Sequence, residues 1–326
     1  MSCYRVLVVT NLWPTERDPS YGGFVPAQMD SLRPLGVEFE VLFVNGRESL
    51  WNYARGVLRM RQMLRQQPYD LIHAHFGLSG WVARCQFQKP VVVSFLGDDV
   101  LGRFKRDGHI SLVGHLFRLS SYFLSNHVSM VIVMSRAMKE TLRSASARVI
   151  SNGVDLDLFR PLDRDAARRA LGLSSDKKFV LFPYPSSIEN KRYDLVQAAV
   201  DMARREIPEV EILSVSHVPR SQMPLYMNAA DVLVLASQSE GSPNAVKEAM
   251  AANLPVITVD VGDAVDLIGP TEGCYLVPRE AEAIAARIAE VCRRGSRTRG
   301  REWIARFSME KIAKQIVEVY ASVVRQ

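Results

Sequence analysis

DVLVLASQSEGSPNAVKEAMAANLPVITVD, residues 231–260, is the stretch from which the fold can be read. DVLVLA is a short apolar, β-branched run, as expected of a strand buried in a parallel sheet. Residues 237–243 form a polar loop carrying Gly and Pro, residues 244–252 are strong helix formers, and PVITV reads as the next strand. The order is strand, loop, helix, strand. Pro243 suits the first helical position, where a missing N–H costs nothing. Backbone N–H groups of Gly241–Ala245 should then point out of a helix N-terminus, a ready site for an anion such as a phosphate.

Two carboxylates bracket that helix entrance: Glu240 on the loop and Glu248 inside the helix. Alone, such a pair reads equally as a solvated helix face. The full string S-x-x-E-G-S-P-x-x-x-x-E-A-M-A, followed by Leu254-Pro255-Val256, resembles the E-x7-E signature of the family 4 nucleotide-sugar glycosyltransferases. That resemblance implies an α/β fold of two facing Rossmann-like domains, the GT-B architecture, with the active site in the interdomain cleft. It implies that Glu240 lies against the donor sugar and Glu248 holds the ribose hydroxyls.

With 326 residues the chain is long enough for two ordinary cores. Its hydrophobic share of 48% and charged share of 23% are those of a folded globular protein. Cys3, Cys85, Cys274 and Cys292 are scattered without a C-x-x-C pair, which gives no support for a zinc site or a disulfide framework and suits a reducing compartment. No apolar run reaches the roughly 18 residues of a spanning helix, and a strand begins near Arg5 in place of a signal peptide, so a cytoplasmic location is expected. Charge is unevenly shared. Residues 1–150 hold 18 Lys and Arg against 11 Asp and Glu, whereas residues 151–326 hold 23 against 24. A basic first half is compatible with peripheral contact to an anionic membrane and equally with an ordinary soluble surface.

RVLVVT reads as the first strand of a Rossmann-like domain feeding a loop with Gly22 and Gly23, which permit positive φ and close backbone approach. Ligands of doubly wound sheets collect at such strand ends. The resemblance places a glycine-rich loop facing the donor phosphates here. Residues 51–66 form an amphipathic basic helix with Arg55 and Arg59 opposite Tyr53, Val57 and Met60, read either as packing on its own domain or as meeting a membrane surface. In YDLIHAHF, alternation puts His73 and His75 on one side of a strand. No third ligand accompanies the H-x-H pair, so no metal is expected. By resemblance His75 is a catalytic residue of the cleft; the residues alone also allow a structural histidine at a strand end. VVVSFLGDDV carries Asp99, which matches the family's acid and is otherwise a helix N-cap. Leu96 stands where the family commonly has a histidine. Residues 101–127 interleave basic and aromatic positions without any nucleic-acid recognition module, so no nucleic acid is expected and helices lining an acceptor cleft are the preferred reading.

Residues 150–155, I-S-N-G-V-D, resemble the family's interdomain junction. Domains are therefore expected at 1–155 and 156–307, with a terminal helix, 308–326, packing back on the first. In the second, the strand 178–184 leads to a loop with Lys191 and Arg192, where a lysine beside helix N–H groups suits a diphosphate. Lys191 matches the family's lysine. The arginine that relatives often carry earlier is absent, with Pro185 and Ser186 in its neighbourhood, which leaves open whether Arg192 takes its place. The Gly/Arg-rich residues 293–301 read as a solvated turn, and Asp263 and Asp266 are assigned no chemistry.

Together these features read as a retaining, metal-independent glycosyltransferase with no cofactor. It would move a sugar from a nucleoside diphosphate sugar to a hydroxyl of a saccharide or lipid-linked acceptor. Glu240, Lys191 and His75 are the expected catalytic residues. Gly22, Gly23, Asp99, Arg192, Gly241, Ser242, Pro243, Asn244 and Glu248 are the expected binding residues. The alternatives are a non-catalytic nucleotide-sugar-binding partner of another transferase and a GT-B sugar-nucleotide epimerase.

Overall fold

A computed structural model of the chain describes residues 3–19, 21–105, 108–144 and 146–325. Two compact units emerge. One comprises Met1–Arg103, Ile110–Gly153 and Met309–Gln326, the other Phe104–His109 and Val154–Ser308.

The first unit is built on six parallel strands: β1 (Tyr4–Thr10), β2 (Val37–Phe43), β3 (Leu71–His75), β4 (Val91–Phe95), β5 (Met130–Val133) and β6 (Arg148–Val149). They lie in the order β2-β1-β3-β4-β5-β6. β3 and β4 are buried at every position, because helices cover both faces of a parallel sheet. Sequence order reverses at β1, so the carboxyl ends of β1 and β3 form the crevice where doubly wound sheets take ligands. The terminal helix Met309–Val324 presents Ile312, Ile316, Val319, Tyr320 and Val323 to this core.

The second unit repeats the plan with β7 (Lys178–Phe182), β8 (Val210–Ser214), β9 (Val232–Leu235), β10 (Val256–Thr258) and β11 (Tyr275–Leu276). Its order is β11-β10-β9-β7-β8, all parallel, with a separate core. Here the reversal falls between β7 and β9. Lys191 follows β7 and Glu240 follows β9, so the topology alone brings their loops side by side.

Two local expectations need correction. Pro243 is the N-cap of the helix Asn244–Ala251, with an extended ψ of 106°, and the helix starts one residue later. Of residues 293–301, Arg293–Ser296 and Arg299 are exposed as expected, but Arg297 donates to the carbonyls of Met227 and Asn228, and Arg301 to those of Leu156, Phe159 and Ala251. Buried carbonyls without partners are costly, and these two guanidiniums satisfy several of them. No helix among the described residues is long and apolar enough to cross a membrane.

Candidate active site

At the β7/β9 crevice, Asn190 stitches the two loops together. Its backbone carbonyl accepts from the Gln238 N–H at 2.8 Å, its side-chain oxygen from the Ser239 N–H at 3.1 Å, and its amide donates to the Ser239 carbonyl at 2.9 Å. The next residue, Lys191, places its Nζ 2.5 Å from Glu240 Oε1 and 4.2 Å from the centre of the Tyr184 ring. Burial, then the charges of Glu240 and Glu248, push the Tyr184 phenol well above its usual range, so it remains a neutral wall under the ammonium.

Glu248, inside the helix, is paired with Arg220 at 2.6 Å, a residue on the loop after β8. Burial raises the Glu248 carboxyl while Arg220 and Lys247 hold it down. Arg220 lies over the Phe159 ring at 5.2 Å, and its Nε and Nη1 are buried with no hydrogen-bond partner. Such orphaned donors on a charged group are the arrangement expected where an anionic or oxygen-rich ligand completes the set.

Between the two carboxylates, the Glu240–Pro243 loop rests on a buried polar chain. Lys247 Nζ donates to Ser242 Oγ at 2.9 Å, and that hydroxyl donates to Asp263 Oδ2 at 2.8 Å. Lys247 is essentially inaccessible, and burial pushes its ammonium down to about 8 against the pull of Asp263 and Glu248. The loop after β10 closes in as well. Gly262 has φ +61°, and a Cβ there would lie 2.9 Å from the Glu240 carbonyl oxygen. Pro243 supplies no side-chain cap to the helix Asn244–Ala251. The first turn of a helix begins with N–H groups that lack intrahelical partners and carries the positive end of the helix dipole.

Of the residues expected from sequence, the structure gathers Lys191, Glu240, Gly241, Ser242, Pro243, Asn244 and Glu248. Arg192 has its backbone in the left-handed region and turns its guanidinium to Asp194 at 3.0 Å. The residues missed were Asn190, Arg220, Lys247 and Asp263. A signal existed for three of them, since each follows a strand's carboxyl end on one sheet.

In the first unit, Gly22 takes φ +66° and Gly23 caps the helix Phe24–Leu32, directly after the β1 loop. A Cβ on Gly22 would meet the Leu12 carbonyl carbon at 2.5 Å, so the tight approach is to the chain's own backbone. His75, the histidine expected in the cleft, ends β3. It is fully buried, its Nε2 donates to Gln28 Oε1 at 2.9 Å, and burial pushes it down to about 4. Its Nδ1 is buried with no hydrogen-bond partner. His73 is held the same way, between Tyr320 and Ser94. Asp99 is not the N-cap of its helix, Asp98–Leu101, but its second residue. Its carboxylate accepts from the N–H groups of Leu96, Gly97 and Gly77, and burial pushes it up to about 6 against those bonds. Among the described residues, no group of three His, Cys, Asp or Glu side chains gathers as a metal site would require.

Two family models match the chain: Glycosyltransferase Family 4 over residues 2–158 and Glycosyl transferases group 1 over residues 190–294. TuaC of Bacillus subtilis, which bears the name of a teichuronic acid biosynthesis glycosyltransferase, is 24% identical over 87% of this chain and 88% of its own. Among solved structures, a sucrose-phosphate synthase from Thermosynechococcus elongatus superposes with a TM-score of 0.79 at 22% identity, covering 98% of this chain and 99% of that one. HepE from Anabaena, solved with UDP and glucose, superposes at 0.73 and 20% identity, covering 98% of this chain and 100% of its own. The matching models fall one in each half of the chain, the two Rossmann-like units are those of the GT-B architecture, and the protein belongs to the family 4 glycosyltransferases.

Proposed function

We propose that this enzyme transfers a sugar from a uridine diphosphate sugar to a hydroxyl of a saccharide or lipid-linked acceptor, with retention at the anomeric carbon and without a metal ion. The observation that carries the proposal is the pair of mostly buried carboxylates, each held by one cation, flanking the helix N-terminus at Asn244. UDP bound in HepE supports the choice of nucleotide.

In this scheme the diphosphate sits at the helix N-terminus with Lys191, and the amides of Gly241, Ser242 and Asn244 meet its oxygens. Glu248 and the orphaned Arg220 donors take the ribose end. Glu240 faces the sugar. The bond from the anomeric carbon to the phosphate oxygen breaks, and the diphosphate leaves with the electron pair. The acceptor oxygen bonds to the same face and releases its proton to the departing phosphate. Lys191 and the helix end supply positive charge where the leaving group gains negative charge, which is the role a metal would otherwise fill. Teichuronic acid in the name of TuaC points the acceptor toward a polysaccharide.

The test is incubation with a panel of nucleoside diphosphate sugars and saccharide acceptors, with the anomeric configuration of the product read by NMR. An α-configured donor should give an α-linked product. Inversion, or full activity in Glu240→Gln, would refute the scheme.

A further inference from the structure

Three helices of the first unit, Trp51–Gln66, Gly77–Arg84 and Leu112–Ser125, lie side by side on one face of its sheet. The Trp81 indole donates to Ser120 Oγ at 2.7 Å across one seam, and Arg61 donates to the Cys85 carbonyl at 2.8 Å across the other. Each helix turns its inner side to the sheet, so their outer sides form one surface.

Helix Leu112–Ser125 exposes apolar side chains in place of the usual charged ones. Its inner side buries Gly114, Ser121 and Leu124, while Leu112, Leu116, Leu119 and Phe123, spaced over three turns, remain 50–77% exposed. A surface helix normally carries charge at those outward positions. Trp51 and Leu58 on the first helix and Phe87 just after the second are exposed on the same layer. Exposed apolar side chains in this number on one helical layer mark a binding face.

Its charge identifies the partner. The three helices contain no Asp or Glu, whereas Arg55, Arg59, Arg61 and Arg65 project from the first, Arg84 ends the second and Arg118 belongs to the third. Apolar side chains at the centre and guanidiniums along the flank match the acyl boundary and the headgroups of an anionic bilayer. We propose that this three-helix layer docks the enzyme on an anionic lipid membrane, with Leu112, Leu116, Leu119 and Phe123 entering the interface and the arginines of Trp51–Gln66 meeting lipid phosphates.

The test is co-sedimentation of the full chain with vesicles of phosphatidylcholine alone or with about 30% phosphatidylglycerol, at low and high salt. Wild type should bind the anionic vesicles at least about tenfold more tightly than the neutral ones and lose most of that margin at high salt. Leu116→Asp/Leu119→Asp and Arg55→Glu/Arg59→Glu alter exposed side chains only, so unchanged thermal melting confirms their fold. Each should weaken binding at least about tenfold. Wild type remaining in the supernatant, variants pelleting like wild type, or a wild-type dimer abolished by the leucine pair would each overturn the proposal. Because nucleotide binding belongs to the second unit, a UDP titration of the same samples shows whether the donor site stands or falls separately.

Discussion

The Lys191–Glu240 pair can be made to separate structure from chemistry. Lys191→Met removes the ammonium and leaves the Glu240 carboxylate beside Tyr184 with its counter-charge gone. Breaking a fully buried pair costs about 3–5 kcal/mol. Here both side chains keep 13–14% exposure, so water recovers part of that loss and about 2–3 kcal/mol is expected. For a unit of this size each kcal/mol lowers Tm by about 2–4 °C, which puts the melting transition about 4–12 °C below wild type. Adding Glu240→Gln neutralises the stranded charge and should restore most of the loss, since the Asn190 bonds that join the two loops remain.

Binding should behave differently. A charge-assisted contact to diphosphate is worth about 1.5–3 kcal/mol, so UDP should bind Lys191→Met about 10–150-fold more weakly. The double variant regains stability and does not regain affinity. Differential scanning calorimetry and isothermal titration calorimetry measure the two quantities on the same samples. Stability and UDP affinity that fall and recover together would refute the reasoning, because the pair would then be a structural rivet alone.

Gly262→Ala forces a Cβ against the Glu240 carbonyl at a φ of +61°. It should cost about 1–3 kcal/mol in urea unfolding and reduce kcat by displacing the Glu240 loop. Lys247 has a folded pKa of about 8 against an ordinary value of 10.5, so the unfolded chain binds more protons in that window and the wild type gains stability as pH rises through it. Lys247→Met lacks this gain; between pH 7 and 9 it should lose about 1.3 kcal/mol relative to wild type, measured by urea midpoints. Asp99 has the opposite sign. Its carboxyl is pushed up from 3.8 to about 6, so the stability it contributes is fullest below 3.8 and falls as pH rises toward 6. Asp99→Asn should flatten that slope by up to about 3 kcal/mol while losing part of the Leu96, Gly97 and Gly77 bonding, and an unchanged slope would reject the assignment.

How far the sequence discloses this site depends on the distance over which each residue's partners are set. The Glu240–Glu248 segment is legible because strand, loop and helix N-terminus are local, and most of the short parallel strands among the described residues follow from similar apolar runs, whereas the exposed pair Arg148–Val149 of β6 carries no such signal. Arg220 is not legible in that way. Its partner Glu248 is 28 residues distant, and only the sheet order brings the loops after β8 and β9 together. The histidines divide along the same line. Alternation correctly puts His73 and His75 on one side of β3, with ring centres 4.3 Å apart. Their partners are set at long range: Tyr320, 247 residues from His73, and the helix bearing Gln28 hold the two buried rings. Polarity misleads in both directions for the same reason. Arg297 and Arg301 look solvated in sequence and instead bond to carbonyls of buried residues, whereas Leu116 and Leu119 are apolar and nonetheless face water. An arginine's destination depends on which carbonyls the fold leaves unpaired, and a leucine's on which helix side lacks a neighbour. Both are properties of the assembled sheet, and the rule that carries furthest from sequence is the positional one: charged residues just past the carboxyl ends of parallel strands converge.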